Sequence, residues 1–258
     1  MQQQTLRLDA ALVTLEYFES REQARRALLA GEIELNGRRD MKPGWKTSIR
    51  ECDGKRRLWI AGKEQEIHLR CKQPYVSRGG IKLAAALDAF GIDPSGMTVL
   101  DIGASTGGFS DCLLQRGARQ VYAVDCGRGQ LHDSLRQDAR VTAMEKTNAR
   151  YLSREQIPEI PDIIVMDVSF ISLRLLLPVM DRLGQPGTLA VALVKPQFEC
   201  GPEEVSRGGV VKDPAARMRA VAMVREAMES LGWESIGCVE SPITGPAGNH
   251  EYLLGARL

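Results

Sequence analysis

The sequence predicts an α/β protein in two parts. A doubly wound, mostly parallel sheet occupies residues 77–258, after a small α+β unit over residues 1–65 and a connector over residues 66–76. Three observations predict this. From Thr98 onward short apolar runs alternate with helical segments, whereas residues 6–65 first show helical spacing and then polar-apolar alternation. The charge also divides: 17 Lys and Arg stand against 11 Asp and Glu through Lys82, hence +6, and 17 against 22 beyond it, hence −5. A basic front suggests contact with a polyanion, although a solvated face would show the same bias.

In the front unit Leu8, Ala11, Leu12 and Leu15 recur at helical spacing. Ser20 with Gln23 has the form of a capping box opening a second helix, whose apolar stripe is Ala24, Ala27 and Leu28 and whose stop is Gly31. Residues 32–35 alternate and run into Asn36-Gly37, which predicts a hairpin. Residues 20–38, SREQARRALLAGEIELNGR, resemble the S4 RNA-binding domain, which implies two helices and a small sheet. Guanidinium groups near one helix start can pair bidentately with phosphates, so Arg7, Arg21, Arg25, Arg26 and Lys42 are the candidate RNA contacts.

In the back unit strands are expected over residues 98–102, 120–125, 141–146, 162–168, 188–194, 235–239 and 251–254, with a long helix over 214–231. No helix separates the last two strands, which predicts an antiparallel edge pair. The first strand ends in Asp101-Ile102-Gly103-Ala104-Ser105-Thr106-Gly107-Gly108-Phe109, a glycine-rich turn opening a helix at the edge where Rossmann-like sheets bind cofactors. Asp125, about 20 residues on, can accept from a ribose diol. A triphosphate site would need GK after the turn, and a nicotinamide site GxGxxG; neither is present. S-adenosylmethionine, a phosphate-free nucleoside whose charged amino-acid tail can meet Asp101, fits better.

Lys82, Asp167, Lys195 and Glu251 lie beside strand ends or a helix start, where a packed core prefers apolar residues. Buried charges need partners, so the four are expected to converge. Together they resemble the Lys-Asp-Lys-Glu tetrad of the RrmJ/FtsJ-like ribose 2′-O-methyltransferases. With the S4-like unit, the segments YVSRGGIKL, DIGASTGGFSD, MDVSFISL, VKPQFE and NHEYLL resemble the TlyA (haemolysin A) family of ribosomal RNA methyltransferases. That resemblance implies a seven-stranded S-adenosylmethionine-dependent fold, 2′-O-methylation of cytidine in 16S or 23S ribosomal RNA or both, and ribosomal RNA or subunits as partners. It also implies that Asn148 lies near the adenine. Lys195 is then the expected proton acceptor, Asp167 its orienting partner, Lys82 the cation offsetting Asp167, and Glu251 a hydrogen-bonding partner of the ribose or lysine. Residues 170–173 could wall the pocket but are expected chiefly to pack the core.

Composition narrows the alternatives. With 43% hydrophobic and 26% charged residues and no apolar run of about 18 residues, the chain reads as globular, without a membrane span. Its N-terminus has no signal-peptide pattern, and the scattered Cys52, Cys71, Cys112, Cys126, Cys200 and Cys238 read as free thiols in a reducing cytoplasm. No His or Cys pair has metal-ligand spacing, so no metal is expected. The rival readings are a noncatalytic RNA-binding assembly factor and a membrane-lytic haemolysin.

Overall fold

The computed structural model describes residues 4–18, 20–29, 31–69, 74–245 and 247–258, which fall into two compact units, Met1–Gln73 and Pro74–Leu258. The first contains β1 (Gln4–Arg7), α1 (Leu8–Thr14), α2 (Arg21–Leu29), β2 (Ile33–Leu35), β3 (Lys46–Cys52), β4 (Lys55–Ile60), β5 (Lys63–Gln65) and β6 (Ile67–Leu69). Leu8, Ala11, Leu12, Ala24 and Leu28 are buried together with Ile33, Leu35 and Leu58, so the apolar stripes of both helices close one core. Ser20 Oγ accepts from the Gln23 N–H at 3.3 Å, the first half of the expected capping box.

Two expectations need correction here. Asn36 (φ 46°) and Gly37 (φ 80°) do make a tight turn closed by a bridge between Leu35 and Arg38, but no hairpin ladder follows. Arg38-Arg39-Asp40 is charged and unalternating, and Pro43 lacks an N–H, so that segment cannot compete with Ile67 and Leu69 as partners for β2. Consequently residues 67–69, read as connector, are a strand of the first unit. Residues 70–73, the middle of that connector, lie outside the described residues.

The second unit contains α3 (Gly79–Phe90), β7 (Thr98–Ile102), α4 (Gly108–Gln115), β8 (Gln120–Val124), α5 (Asp133–Arg136), β9 (Val141–Met144), β10 (Ile163–Met166), α6 (Leu177–Leu183), β11 (Leu189–Val194), α7 (Pro196–Glu199), α8 (Pro214–Ser230), β12 (Glu234–Glu240) and β13 (Tyr252–Arg257). The sheet order is β12-β13-β11-β10-β7-β8-β9. β7 to β11 pair in parallel, and β13 runs antiparallel to both β11 and β12. The last two strands are therefore an antiparallel pair, but only β12 is an edge, because β13 inserts between β12 and β11. Strands with fully buried side chains, such as VLDI and IIVM, have helices packed on both faces. The chain leaves β9 to return on the other side of β7, which puts the topological switch point between β7 and β10, where such sheets hold ligands.

Candidate active site

Strand register gathers the four charged side chains. β10 and β11 are parallel neighbours, so Asp167 and Lys195 leave the sheet at the same edge. In the antiparallel pair β11 and β13, Val194 faces Tyr252, so the next residues outward, Lys195 and Glu251, also meet there. α3 brings Lys82 over that edge. Lys195 Nζ lies 2.6 Å from Asp167 Oδ1 and donates to Ser169 Oγ at 2.8 Å. Lys82 Nζ donates to Glu251 Oε2 at 2.5 Å. All four line one cleft of about 450 Å³. Lys82, Lys195 and Glu251 are buried, and Asp167 keeps 22% of its side chain exposed. Such burial is tolerable because each charge is paired. Lys82 has its own carboxylate in Glu251, so it is not the spare cation expected to offset Asp167; the four groups form two ion pairs. Gly245 leaves room for Glu251, since a Cβ there would lie 2.6 Å from Oε1.

The glycine turn forms the adjoining wall. Gly103, Ala104, Ser105, Thr106, Gly108 and Phe109 line the first cleft, whereas Gly107 lies behind it as the N-cap of α4, with φ 94°. A Cβ on Gly103 would lie 2.4 Å from the Asp167 carbonyl oxygen, so only glycine permits β7 and β10 to approach at the switch point. A second cleft of about 390 Å³ opens beside Gly103 and Ser105 and contains Asp125 and Asn148. Asp125 follows β8; its two oxygens accept from the N–H groups of Ser105 and Gly127 at 2.8 and 2.7 Å. Asn148 Oδ1 accepts from Arg150 N–H at 3.1 Å.

Asp101 differs from the expectation. Its side chain is fully buried behind the turn rather than on a cleft wall, because the Ser110 hydroxyl of α4 donates to Oδ2 at 2.6 Å and draws it inward. Burial pushes its carboxyl up to about 7; the Ser110 hydrogen bond opposes this, and the charges of Asp167 and Asp125 push it further. Oδ1 has no hydrogen-bond partner among the described residues.

These features test the fit of a nucleoside cofactor. The second cleft has Asp125 and Asp167 in its wall and no Lys or Arg side chain. Those carboxylates repel phosphate and suit a phosphate-free nucleoside bearing positive charge, and the orphaned Asp101 Oδ1 is a buried acceptor whose donor is missing among the described residues. S-adenosylmethionine has this chemistry.

Sequence reading missed Ser169, which lies on all three clefts of this region; Phe170, weighed as pocket wall or core, lines the second and third clefts. Phe170 is not core: φ is 63°, the side chain is 92% exposed, and its ring stands 5.3 Å from that of Phe198. The left-handed backbone swings it out of the alternation that its neighbours suggest. Leu173 in the same segment is buried as expected.

In the first unit the candidate RNA-contact arginines are exposed but already paired. Arg7 and Arg21 meet Asp9, and Arg25 and Arg26 meet Glu22. Burial raises the Asp9 carboxyl, but the two guanidiniums outweigh it and hold the group below its usual range. Lys42 is exposed beside the turn at Pro43-Gly44. Arg38 over Trp45 and Arg50 over Trp59 are cation–π pairs that spacing did not reveal. Among the described residues no helix is long and apolar enough to cross a membrane, and no cluster of His, Cys, Asp and Glu could hold a metal ion.

Residues 75–258 match the FtsJ-like methyltransferase family and residues 6–46 the S4 domain. The chain is 43% identical over 251 residues to the 16S/23S rRNA (cytidine-2′-O)-methyltransferase TlyA of Mycobacterium tuberculosis, covering 97% of this chain and 89% of that protein. It is 38% identical over 249 residues to Hemolysin A of Brachyspira hyodysenteriae, covering 96% and 98%. A solved structure from Streptococcus thermophilus that carries a hemolysin name matches with a TM-score of 0.72 at 40% identity, over 98% of this chain and 88% of that one. An S-adenosylmethionine dependent methyltransferase from Mesorhizobium loti, 16% identical, shares the fold with a TM-score of 0.52 over 67% of this chain and 96% of that one.

Proposed function

The chain belongs to the FtsJ-like methyltransferase family and carries an S4 domain, and from that premise we propose that it methylates the ribose 2′-hydroxyl of a cytidine in 16S or 23S ribosomal RNA, or both. The observation that carries this reading is the pair of Lys–carboxylate bridges lining one cleft beside a second that shares Asp167 and has no Lys or Arg in its wall. S-adenosylmethionine, when bound, supplies an electrophilic methyl on a sulfonium. Asp125 would hold the ribose of that cofactor, Asn148 would lie by its adenine, and the glycine turn would admit its amino-acid end.

A ribose hydroxyl is a very weak acid, so alignment and removal of its proton dominate the barrier. Lys195 is the proton acceptor in this scheme. Asp167, 2.6 Å from Nζ, and Ser169 Oγ, which accepts from it, orient the amine so that its lone pair faces the substrate hydroxyl and takes the proton as the oxygen attacks the methyl. Lys82 and Glu251 hold the sugar. The target base must leave its stack for its ribose to enter. The S4 unit supplies register and affinity: exposed pairs such as Arg25–Glu22 contribute little to folding and can exchange a carboxylate for a phosphate.

Lys195→Ala and Asp167→Ala are expected to abolish methyl transfer to ribosomal subunits while leaving RNA binding intact, measured as incorporated radiolabel and as filter-retained RNA. Near-wild-type turnover in either variant would remove the proton-acceptor assignment.

A further inference from the structure

Glu199 is a buried carboxylate without a part in the chemistry above. It closes α7, four residues after Lys195, and its side chain is 1% exposed. Oε2 accepts from the Ser172 hydroxyl at 2.6 Å, and Oε1 accepts from the Leu173 N–H at 2.7 Å; Arg174 Nε stands 3.5 Å away. Burying a carboxylate is unfavourable unless such bonds satisfy it. The bonds also fasten the segment after β10 to the segment after β11. Between that clamp and β10 lie Asp167, Ser169 and Phe170. Phe170 keeps φ at 63°, which a non-glycine residue does only where its surroundings hold it. Ser169, the residue before it, meets Lys195 Nζ only while this turn keeps its shape.

We infer that Glu199 is a positioning residue for methyl transfer: it ties the loop after β10 to α7 and thereby seats Ser169 against Lys195, aiming the proton acceptor at the ribose. The inference rests on the proposed function, because it assigns Glu199 to that same step. Glu199 acts through Ser169, so once either is lost the other has little left to contribute.

The test is a double-mutant cycle of Glu199→Ala and Ser169→Ala, read as single-turnover methyl transfer to ribosomal subunits at saturating S-adenosylmethionine and RNA. Each single variant is expected to lose about 10- to 100-fold in rate, the range for a small misplacement of reacting groups. The double variant should be no slower than the slower single, and the pH–rate profiles of the two singles should shift in the same direction. Glu199→Gln, whose amide still accepts from Leu173 and reaches Ser172, should recover most of the rate. If Glu199→Ala does not fold, Glu199→Asp replaces it in the cycle, since it retracts the carboxylate by one methylene. Losses that multiply in the double variant, or a wild-type rate in Glu199→Ala, overturn the inference while leaving the proposed function standing. A wild-type chain that transfers no methyl would remove both.

Discussion

Asp101 is a fully buried carboxyl held near 7 against an ordinary 3.8. Below about pH 4 the folded and unfolded chains both carry the proton; as pH rises toward 7 the unfolded chain ionises while the folded one does not. The stability contributed by this raised value is therefore present at low pH and lost as pH climbs through 7. Asp101→Asn removes the titration. Thermal melts without cofactor should show the variant losing less stability than wild type between about pH 4 and 7, while its affinity for S-adenosylmethionine, read by calorimetry at about pH 8 where the wild-type carboxyl is ionised, falls about tenfold or more because the negative charge behind the turn is gone. Equal pH slopes in the two proteins would contradict the burial argument. In the sequence Asp101 was legible as a functional acid, but its orientation was not, because nothing in the spacing revealed that Ser110 would pull it away from the cleft. Glu199 was hidden for a related reason: one Glu at the end of a short helical segment reads as solvent-facing.

At the scale of elements, the site depends on how closely β7 approaches β10. Gly103 has φ 87°, and a Cβ there would meet the Asp167 carbonyl, a backbone atom that cannot rotate away. Gly103→Ala is expected to destabilise the fold by about 1–3 kcal/mol in denaturant unfolding. Its loss of methyl transfer should exceed what that destabilisation explains, since retreat of Asp167 moves the partner of Lys195. A variant with wild-type rate and cofactor affinity would show that the approach is not needed. The strands of the large sheet were legible to within a few residues because each is an apolar run bounded by turn residues. The place of β13 was not, since strand order is decided by pairing partners remote in sequence. In the first unit β3 and β4 carry Lys46, Arg50, Lys55, Arg56 and Arg57, and those charges masked the alternation that would have marked them as strands.

For the whole molecule, two compact units with opposite charge bias were legible as a gradient along the chain, because each unit is contiguous in sequence. The paired state of the front-unit arginines was not, since composition counts charges without their partners. Binding that exchanges these internal pairs for phosphates should weaken as salt rises, whereas the Lys82–Glu251 and Lys195–Asp167 bridges, being largely buried, are screened much less. The account therefore stands or falls on where the methyl group goes. The most direct measurement is to incubate the full chain with ribosomal subunits and isotope-labelled S-adenosylmethionine, digest the RNA, and locate the label by mass spectrometry. The account predicts label on the ribose 2′-oxygen of a cytidine. Label on a base, or on no RNA at all, would contradict it.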